Sequence, residues 1–193
     1  IDVTPDMTAP VVTVLLSANP AAIGSDVVIQ VQAADDVGIE QIMLTIDGTP
    51  VLVNAFGAAT FNSATPGLFD IVATVSDGAG NEATAQVTLR VIDPADTLGP
   101  AINITSPSPN SEVTTLTDIF GSVTDDNLEF FTVEYGRADL VDINDPTAFD
   151  PDYITIATGT ADVANAVLGT FDPTMLMNDT YIIRVFAQDL SGN

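Results

Sequence analysis

The sequence predicts an all-β chain of two tandem β-sandwiches, and three observations predict it. Apolar and polar residues alternate with a period of two in short runs, the runs are separated by turn residues, and the whole pattern occurs twice. The runs are rich in β-branched residues, as in Val27 to Ala33, Ile39 to Ile46, Phe69 to Val75 and Ala83 to Val91. No segment carries a convincing helical stripe. Turn signals recur every 8 to 12 residues or so, the spacing of a sandwich rather than of a βαβ fold.

The repeat is read from three landmarks in one order. Asp6-Met7-Thr8-Ala9-Pro10 precedes an apolar run, as Asp96-Thr97-Leu98-Gly99-Pro100 does at an offset of 90. Ala34-Asp35-Asp36 closes a strand run, as Thr124-Asp125-Asp126 does at the same offset of 90. Ser76-Asp77-Gly78-Ala79-Gly80-Asn81 returns as Gln188-Asp189-Leu190-Ser191-Gly192-Asn193, now at an offset of 112. The second copy thus carries about 22 extra residues, located between Arg137 and Thr160. The boundary falls at Asp93-Pro94-Ala95-Asp96, giving domains over residues 1–93 and 94–193, the second with a 137–160 insertion.

In the first copy, strands are expected over 10–16, 26–34, 39–46, 50–55, 58–63, 68–76 and 83–92. Asp47-Gly48 is a hairpin turn and Pro66-Gly67 opens the next strand. Seven strands make an immunoglobulin-like Greek-key count. The second copy gives strands over 101–105, 116–124, 128–136, 153–158, 164–169 and 180–188, and lacks the last strand within this chain. Two explanations stand: the sequence is a fragment of a longer protein, or another subunit donates the strand. The absence of an initiator Met and of a signal peptide likewise suggests a processed protein or an excised piece. The aromatics Phe69, Phe120, Phe130, Phe131, Tyr135, Tyr181 and Phe186 lie on strand runs and read as core.

Composition narrows function. The chain has 193 residues and a formal charge of -24, from 27 acids and 3 bases. The acids are 22 Asp and 5 Glu; the bases are Arg90, Arg137 and Arg184. There is no His, Cys, Lys or Trp. A Ser-His-Asp or Cys-His nucleophile, an ordinary zinc site, a disulfide, a Schiff base and a P-loop lysine are therefore all excluded. Such a negative surface repels nucleic acid and anionic lipid, and no apolar run is long enough for a membrane helix. Neither nucleic-acid binding nor membrane insertion is expected.

Cations are another matter. In an immunoglobulin-like sandwich the start of the first strand shares a pole with the loops after the second and sixth strands. That places Asp6, Asp35, Asp36, Asp77 and Asn81 together in the first copy. In the second copy it gathers Asp96, Asp125, Asp126, Asp189 and Asn193, with Asp93 in the preceding linker. Clustered carboxylates repel unless neutralised, and Ca²⁺ takes 6–8 oxygen ligands of the carboxylate, amide and carbonyl types such loops offer. Mg²⁺ demands stricter geometry. The same residues also make ordinary turns, because Asp, Asn and Gly cap and tolerate left-handed backbone. The insertion adds Asp139, Asp142, Asp145, Asp150 and Asp152 with Phe149 and Tyr153, which reads as a solvated loop, a binding loop or a second cation site. An exposed aromatic there supports binding; a loop packed back on the sheet opposes it. The carboxylate pairs Asp35-Asp36 and Asp125-Asp126 are adjacent in sequence with no aromatic platform nearby, so no enzyme is expected and no catalytic residue is assigned.

The pattern Asp6-x-x-Ala9-Pro10, then Ala34-Asp35-Asp36-x-Gly38-Ile39, then Val75-Ser76-Asp77-Gly78-Ala79-Gly80-Asn81 resembles bacterial immunoglobulin-like repeats of large surface and secreted proteins, over residues 6–92. Such repeats occur in adhesins, extracellular hydrolases and fibres. The resemblance implies calcium at the junction between repeats, on Asp6, Asp35 or Asp36, and Asp77. Phe131 to Gly136, Leu168 to Leu176, Asn178 to Tyr181, Arg184, and Ala187 to Asn193 are together similar to a segment of Rhs/YD-repeat and related giant secreted proteins. Asn178-Asp179 stands where those have Asn-Gly, and no YD repeat is present. The resemblance implies an extracellular structural or spacer module at the bacterial cell surface, with neighbouring domains of the same protein or filament as partners.

Overall fold

The computed structural model describes residues 5–144 and 150–193. The chain divides into two compact units, Ile1–Ala95 and Asp96–Asn193. Each is a β-sandwich of immunoglobulin-like topology. Among the described residues there is no helix long and apolar enough to cross a membrane.

In the first unit, β1 (Val11–Leu16), β3 (Val27–Ala34) and β6 (Ala58–Phe61) form one sheet in the order β1-β3-β6. The other contains β2 (Ala21–Ala22), β4 (Ile39–Ile46), β5 (Thr49–Val51), β7 (Gly67–Asp77) and β8 (Glu82–Ile92), in the order β2-β8-β7-β4-β5. All pairings are antiparallel except the short β2–β8 contact. Alternation decides which side chains enter the core. In β7, Ile71, Ala73 and Val75 are fully buried in one cluster with Leu44 and Leu89 of the neighbouring strands and Ile29 of the opposite sheet, while the residues that alternate with them are half-buried. Asp47 (φ 48°) and Gly48 (φ 74°) form the two-residue turn between β4 and β5, the left-handed pair that an Asp-Gly hairpin requires.

The strand expected over 50–55 ends at Val51. The Asn54 side chain ends it, because its Oδ1 accepts hydrogen bonds from the N–H groups of Phe56 (2.8 Å) and Ala58 (3.1 Å) and winds the chain into a turn. The two-residue β2 is too short to leave a periodic trace in the sequence.

In the second unit, β9 (Ala101–Ser106), β10 (Thr117–Thr124) and β13 (Val163–Phe171) form a sheet ordered β13-β10-β9. The facing sheet is β12 (Ile154–Gly159), β11 (Leu128–Arg137) and β14 (Tyr181–Asp189), ordered β12-β11-β14. Its core is Ile119, Val123, Phe131, Val133, Leu168 and Phe171. Tyr135, Phe171 and Tyr181 cluster at one end, Tyr135 and Phe171 meeting edge to face with centroids 5.1 Å apart and Tyr181 tilted against both. Three aromatics expected in the core lie elsewhere. Phe120 is next to buried Ile119, so alternation turns it outward, where it is 41% exposed. Phe130 and Phe186 alternate with Phe131 and Val185 and stack on the outer face of their sheet, centroids 5.9 Å apart.

Candidate functional site

The pole of the first unit is built by three segments. Asp6 lies just before β1, Asp35 and Asp36 follow β3, and Asp77 to Asn81 turn the chain from β7 into β8. One carboxylate oxygen from each of Asp6, Asp35 and Asp36 lies within 4.8 Å of the other two. Asp6 and Asp35 are half-buried and Asp36 is exposed. Among the described residues no other three acidic side chains converge in this way. Each like-charged pair at about 4–5 Å costs on the order of 1 kcal/mol in water, and more where solvent is partly excluded.

The rest of the pole orients this group. Asp6 Oδ1 accepts from the Thr8 N–H (3.0 Å), and Asp6 Oδ2 accepts from the Asn81 Nδ2 amide (3.2 Å). Asp35 Oδ2 accepts from the Val37 N–H (2.9 Å). Asp77 is outside the convergent group. It is fully buried, Oδ1 taking the N–H groups of Ala79 (2.8 Å) and Asn81 (2.9 Å) and Oδ2 taking Asn81 Nδ2 (2.8 Å). Burial pushes the Asp77 carboxyl up, but the Asn81 side chain and the turn N–H groups outweigh it and hold the pKa below the usual value. Asp77 thus fixes the turn, and Asn81 links that turn to Asp6.

The second unit repeats the turn and changes the cluster. Asp189 is fully buried, with Oδ1 accepting from the N–H groups of Ser191 (2.8 Å), Gly192 (2.6 Å) and Asn193 (2.8 Å). Its carboxyl is likewise held low by Asn193 and these N–H groups against the opposing effect of burial. Asn193 Nδ2 donates to Asp189 Oδ2 (3.0 Å) and to the Asp96 carbonyl (3.1 Å). Asp96, Asp125 and Asp126 do not converge as the first three do. Asn127 stands between them: its Nδ2 donates to Asp96 Oδ2 (3.0 Å), and its N–H donates to Asp125 Oδ1 (2.9 Å). The Asn127 Oδ1 is buried with no hydrogen-bond partner. Asp125 N–H donates to Asp162 (3.1 Å). Sequence reasoning passed over Asn127 and Asp162. Asn127 occupies the position of Val37 in the first copy, so the repeat alignment itself hides it. Asp93 binds the Ala95 N–H (2.9 Å) in the stretch between β8 and β9.

The described part of the insertion packs back on its sheet. Val141 and Tyr153 are buried against the outer face of β11 and β14. The Arg184 guanidinium lies 3.6 Å from the centroid of the Tyr153 ring, and its Nε donates to Glu134 Oε2 (2.7 Å). Burial pushes the Tyr153 hydroxyl up. Asp139 pairs with Arg137, and that hydrogen bond lowers the one pKa and raises the other. Asp150 ties the loop ends together, accepting from the N–H groups of Asp142 (2.8 Å) and Asp152 (2.9 Å), which hold its carboxyl low. Asp145 and Phe149 lie outside the described residues.

One open groove of about 550 Å³ lies beside β6, lined by Val28, Leu52, Val53, Asn54, Ala58, Ala59 and Thr60. No titratable side chain lines it.

No protein-family model matches the sequence, and no curated protein matches it. Solved structures do. Fibronectin(III)-like modules of Clostridium thermocellum CbhA are 15% identical, with 94% of this chain and 87% of that chain covered and a TM-score of 0.39. A structure described for carbohydrate-binding modules of the β-sandwich superfamily is 12% identical, covers 97% and 87% of the two chains, and has a TM-score of 0.44. Dimeric latent PorU from Porphyromonas gingivalis is 15% identical with a TM-score of 0.41, and this chain, 96% covered, spans 19% of it. The sheets and their strand orders make the chain an all-β protein of two tandem immunoglobulin-like sandwiches.

Proposed function

We propose that this chain is a non-catalytic structural module of an extracellular bacterial surface protein, adhesin or filament, and that Ca²⁺ stiffens it at the pole of the first sandwich. The observation that carries the reading is the convergence of Asp6, Asp35 and Asp36. Ca²⁺ binds oxygen at about 2.3–2.6 Å, so two ligand atoms on one ion stand up to roughly 5 Å apart. A trio of oxygens within 4.8 Å fits that span. Bound there, the ion would neutralise the cluster and tie the stretch entering β1 to the loop after β3. In a tandem array this restrains the connection leading into the sandwich. At the second pole the unpartnered Asn127 Oδ1 is an available neutral ligand atom beside Asp96. The extracellular setting, and the kinship of the second copy with Rhs/YD-type secreted proteins, belong to this proposal and rest on the sequence resemblance.

Thermal melting of the chain in EDTA, then in millimolar Ca²⁺, with Mg²⁺ as the screening control, tests it. A ligand at about 100 times its dissociation constant stabilises by roughly 2.7 kcal/mol, several degrees for a domain of this size. A Ca²⁺-selective rise that disappears in Asp36→Ala is expected. An equal rise with Mg²⁺, or none, removes the cation from the reading.

A second reading, a partner-binding module, finds no support in the described part of the insertion, because Tyr153 is buried. It is favoured instead by the loop after β5. Asn54 holds that loop rigid while Leu52 (95%) and Phe56 (85%) stand exposed beside the groove. Loss of partner capture in a Leu52→Ser, Phe56→Ser variant of unchanged melting point would support it.

A further inference from the structure

In a chain of formal charge -24, the outer face of the β1-β3-β6 sheet carries no charged side chain. Alternation turns Val12, Val14 and Leu16 of β1 onto the core and leaves Val11, Thr13 and Leu15 outside. Across the ladder these three stand opposite Ala34, Gln32 and Gln30 of β3. On the other flank of β3, Val28 stands opposite Thr60 and Gln30 opposite Ala58. Val11, Leu15 and Val28 are large apolar side chains left exposed. The acids begin beyond the strand ends, with Asp6, Asp35 and Asp36 at one end and Asp26 at the other. The second sheet of the unit differs, since Asp70, Glu82 and Arg90 lie among its outward positions.

One edge of the face rises into a wall. The loop after β5 carries exposed Leu52 and Phe56 beside the groove, which Val28, Ala58 and Thr60 of the same face also line. Gln30 fixes the wall, its Nε2 donating to the Phe56 carbonyl (2.7 Å). Gly57 lets the loop lie close on β3, where a Cβ would meet the Val31 carbonyl oxygen at 2.7 Å.

The second unit, taken by itself, treats its corresponding sheet alike. In β13-β10-β9 the one acid is Asp118, and its Oδ1 accepts from the Thr170 hydroxyl (2.8 Å). Phe120 and Val167 stand opposite each other there, both exposed.

We propose, resting on the partner-binding reading of the loop after β5, that the β1-β3-β6 face takes the same face of a second copy of this chain. Burying a carboxylate against another carboxylate costs desolvation and repulsion together. On this face two like-charged chains meet without that cost. Sheets pack face to face about 10 Å apart, which is also the Debye length at about 0.1 M salt. The acids around the rim therefore repel their counterparts at low salt and are screened at higher salt. Self-association strengthens as salt is added, whereas a basic partner would be drawn to the acid-bearing faces and released by salt. Three strands about 4.8 Å apart and about six residues long offer roughly 300 Å² a side, below the ~800 Å² of a standard interface. The contact is thus a weak one, suited to copies held at high local concentration.

Sedimentation equilibrium of the full chain in EDTA tests this, with protein up to about 1 mM. A monomer–dimer equilibrium is expected, its dissociation constant falling at least about tenfold between about 50 mM and about 1 M NaCl. Val28→Glu, and Thr13→Glu as a polar-for-polar change, should each abolish the dimer at unchanged melting point. Met43→Glu, at an exposed position of the other sheet, should leave it intact. An equal loss in Met43→Glu would overturn the proposal, as would a dimer that salt weakens. A monomer at every salt concentration would overturn it too, while the partner-binding reading would still stand or fall by its own Leu52→Ser, Phe56→Ser test.

Discussion

Asp77 and Asp189 show how little a carboxylate's residue type says about its work. Both are fully buried, and both are held ionised by hydrogen bonds from the turn that follows them. Their pKa values are lowered in the fold and ordinary in the unfolded chain. The stability they contribute is therefore complete above the unfolded value of about 4, and is lost as the pH falls through the lower folded values. Melting midpoints measured between neutral pH and about pH 2 should fall in that acid window. Asp77→Asn should lower the neutral-pH midpoint by several degrees and flatten the acid limb. An amide there turns an N–H₂ toward the Asn81 Nδ2 donor or leaves a turn N–H without an acceptor. Asp36 is the contrast: its exposed carboxylate should be dispensable in EDTA and matter only when Ca²⁺ is present.

At the scale of elements, the insertion is a cover rather than a free loop in its described part. It needs Gly136 in β11, because a Cβ there would collide with Val141 Cγ1 and crowd the Tyr153 ring at 3.2 Å. Gly136→Ala should cost roughly 1–3 kcal/mol by overpacking. It should also loosen the Arg184–Glu134 pair, which lies under Tyr153 with side chains only 12% and 15% exposed. Denaturant unfolding, with Tyr fluorescence as a local probe, checks both effects. A variant as stable as the parent would mean that the insertion lifts off the sheet at little cost. The same scale explains the overlong strand at 50–55. Leu52 and Val53 read as strand, but the Asn54 carboxamide competes for the backbone and stops the ladder at Val51.

For the whole molecule, the two units share a topology and differ in closure. Among the described residues the first core holds twelve buried apolar side chains and the second holds six. Calorimetry of the chain should show two unfolding transitions, with the second unit melting at the lower temperature, since less apolar area leaves water when it folds. Leu89→Ala should shift only the transition of the first unit, by roughly 2–5 kcal/mol of stability. A single transition moved as a whole by that substitution would mean that the units unfold together.

The sequence by itself determined the all-β class, the duplication and nearly every strand. Period-two alternation and turn chemistry are local properties, and a repeat lets each copy check the other. It also determined which chemistries are impossible, since no fold supplies a His, Cys or Lys that the chain lacks. Tertiary structure decided what the acids do. Asp6, Asp35, Asp36 and Asp77 look alike in sequence, yet folding makes three of them a convergent group and buries the fourth as a turn clamp. It also decided that Asn127 donates a hydrogen bond to Asp96 in the second copy, and that the Tyr153 ring packs over Arg184. These outcomes depend on distances between segments tens of residues apart, set by how one sheet lies on another, and no local pattern encodes such distances.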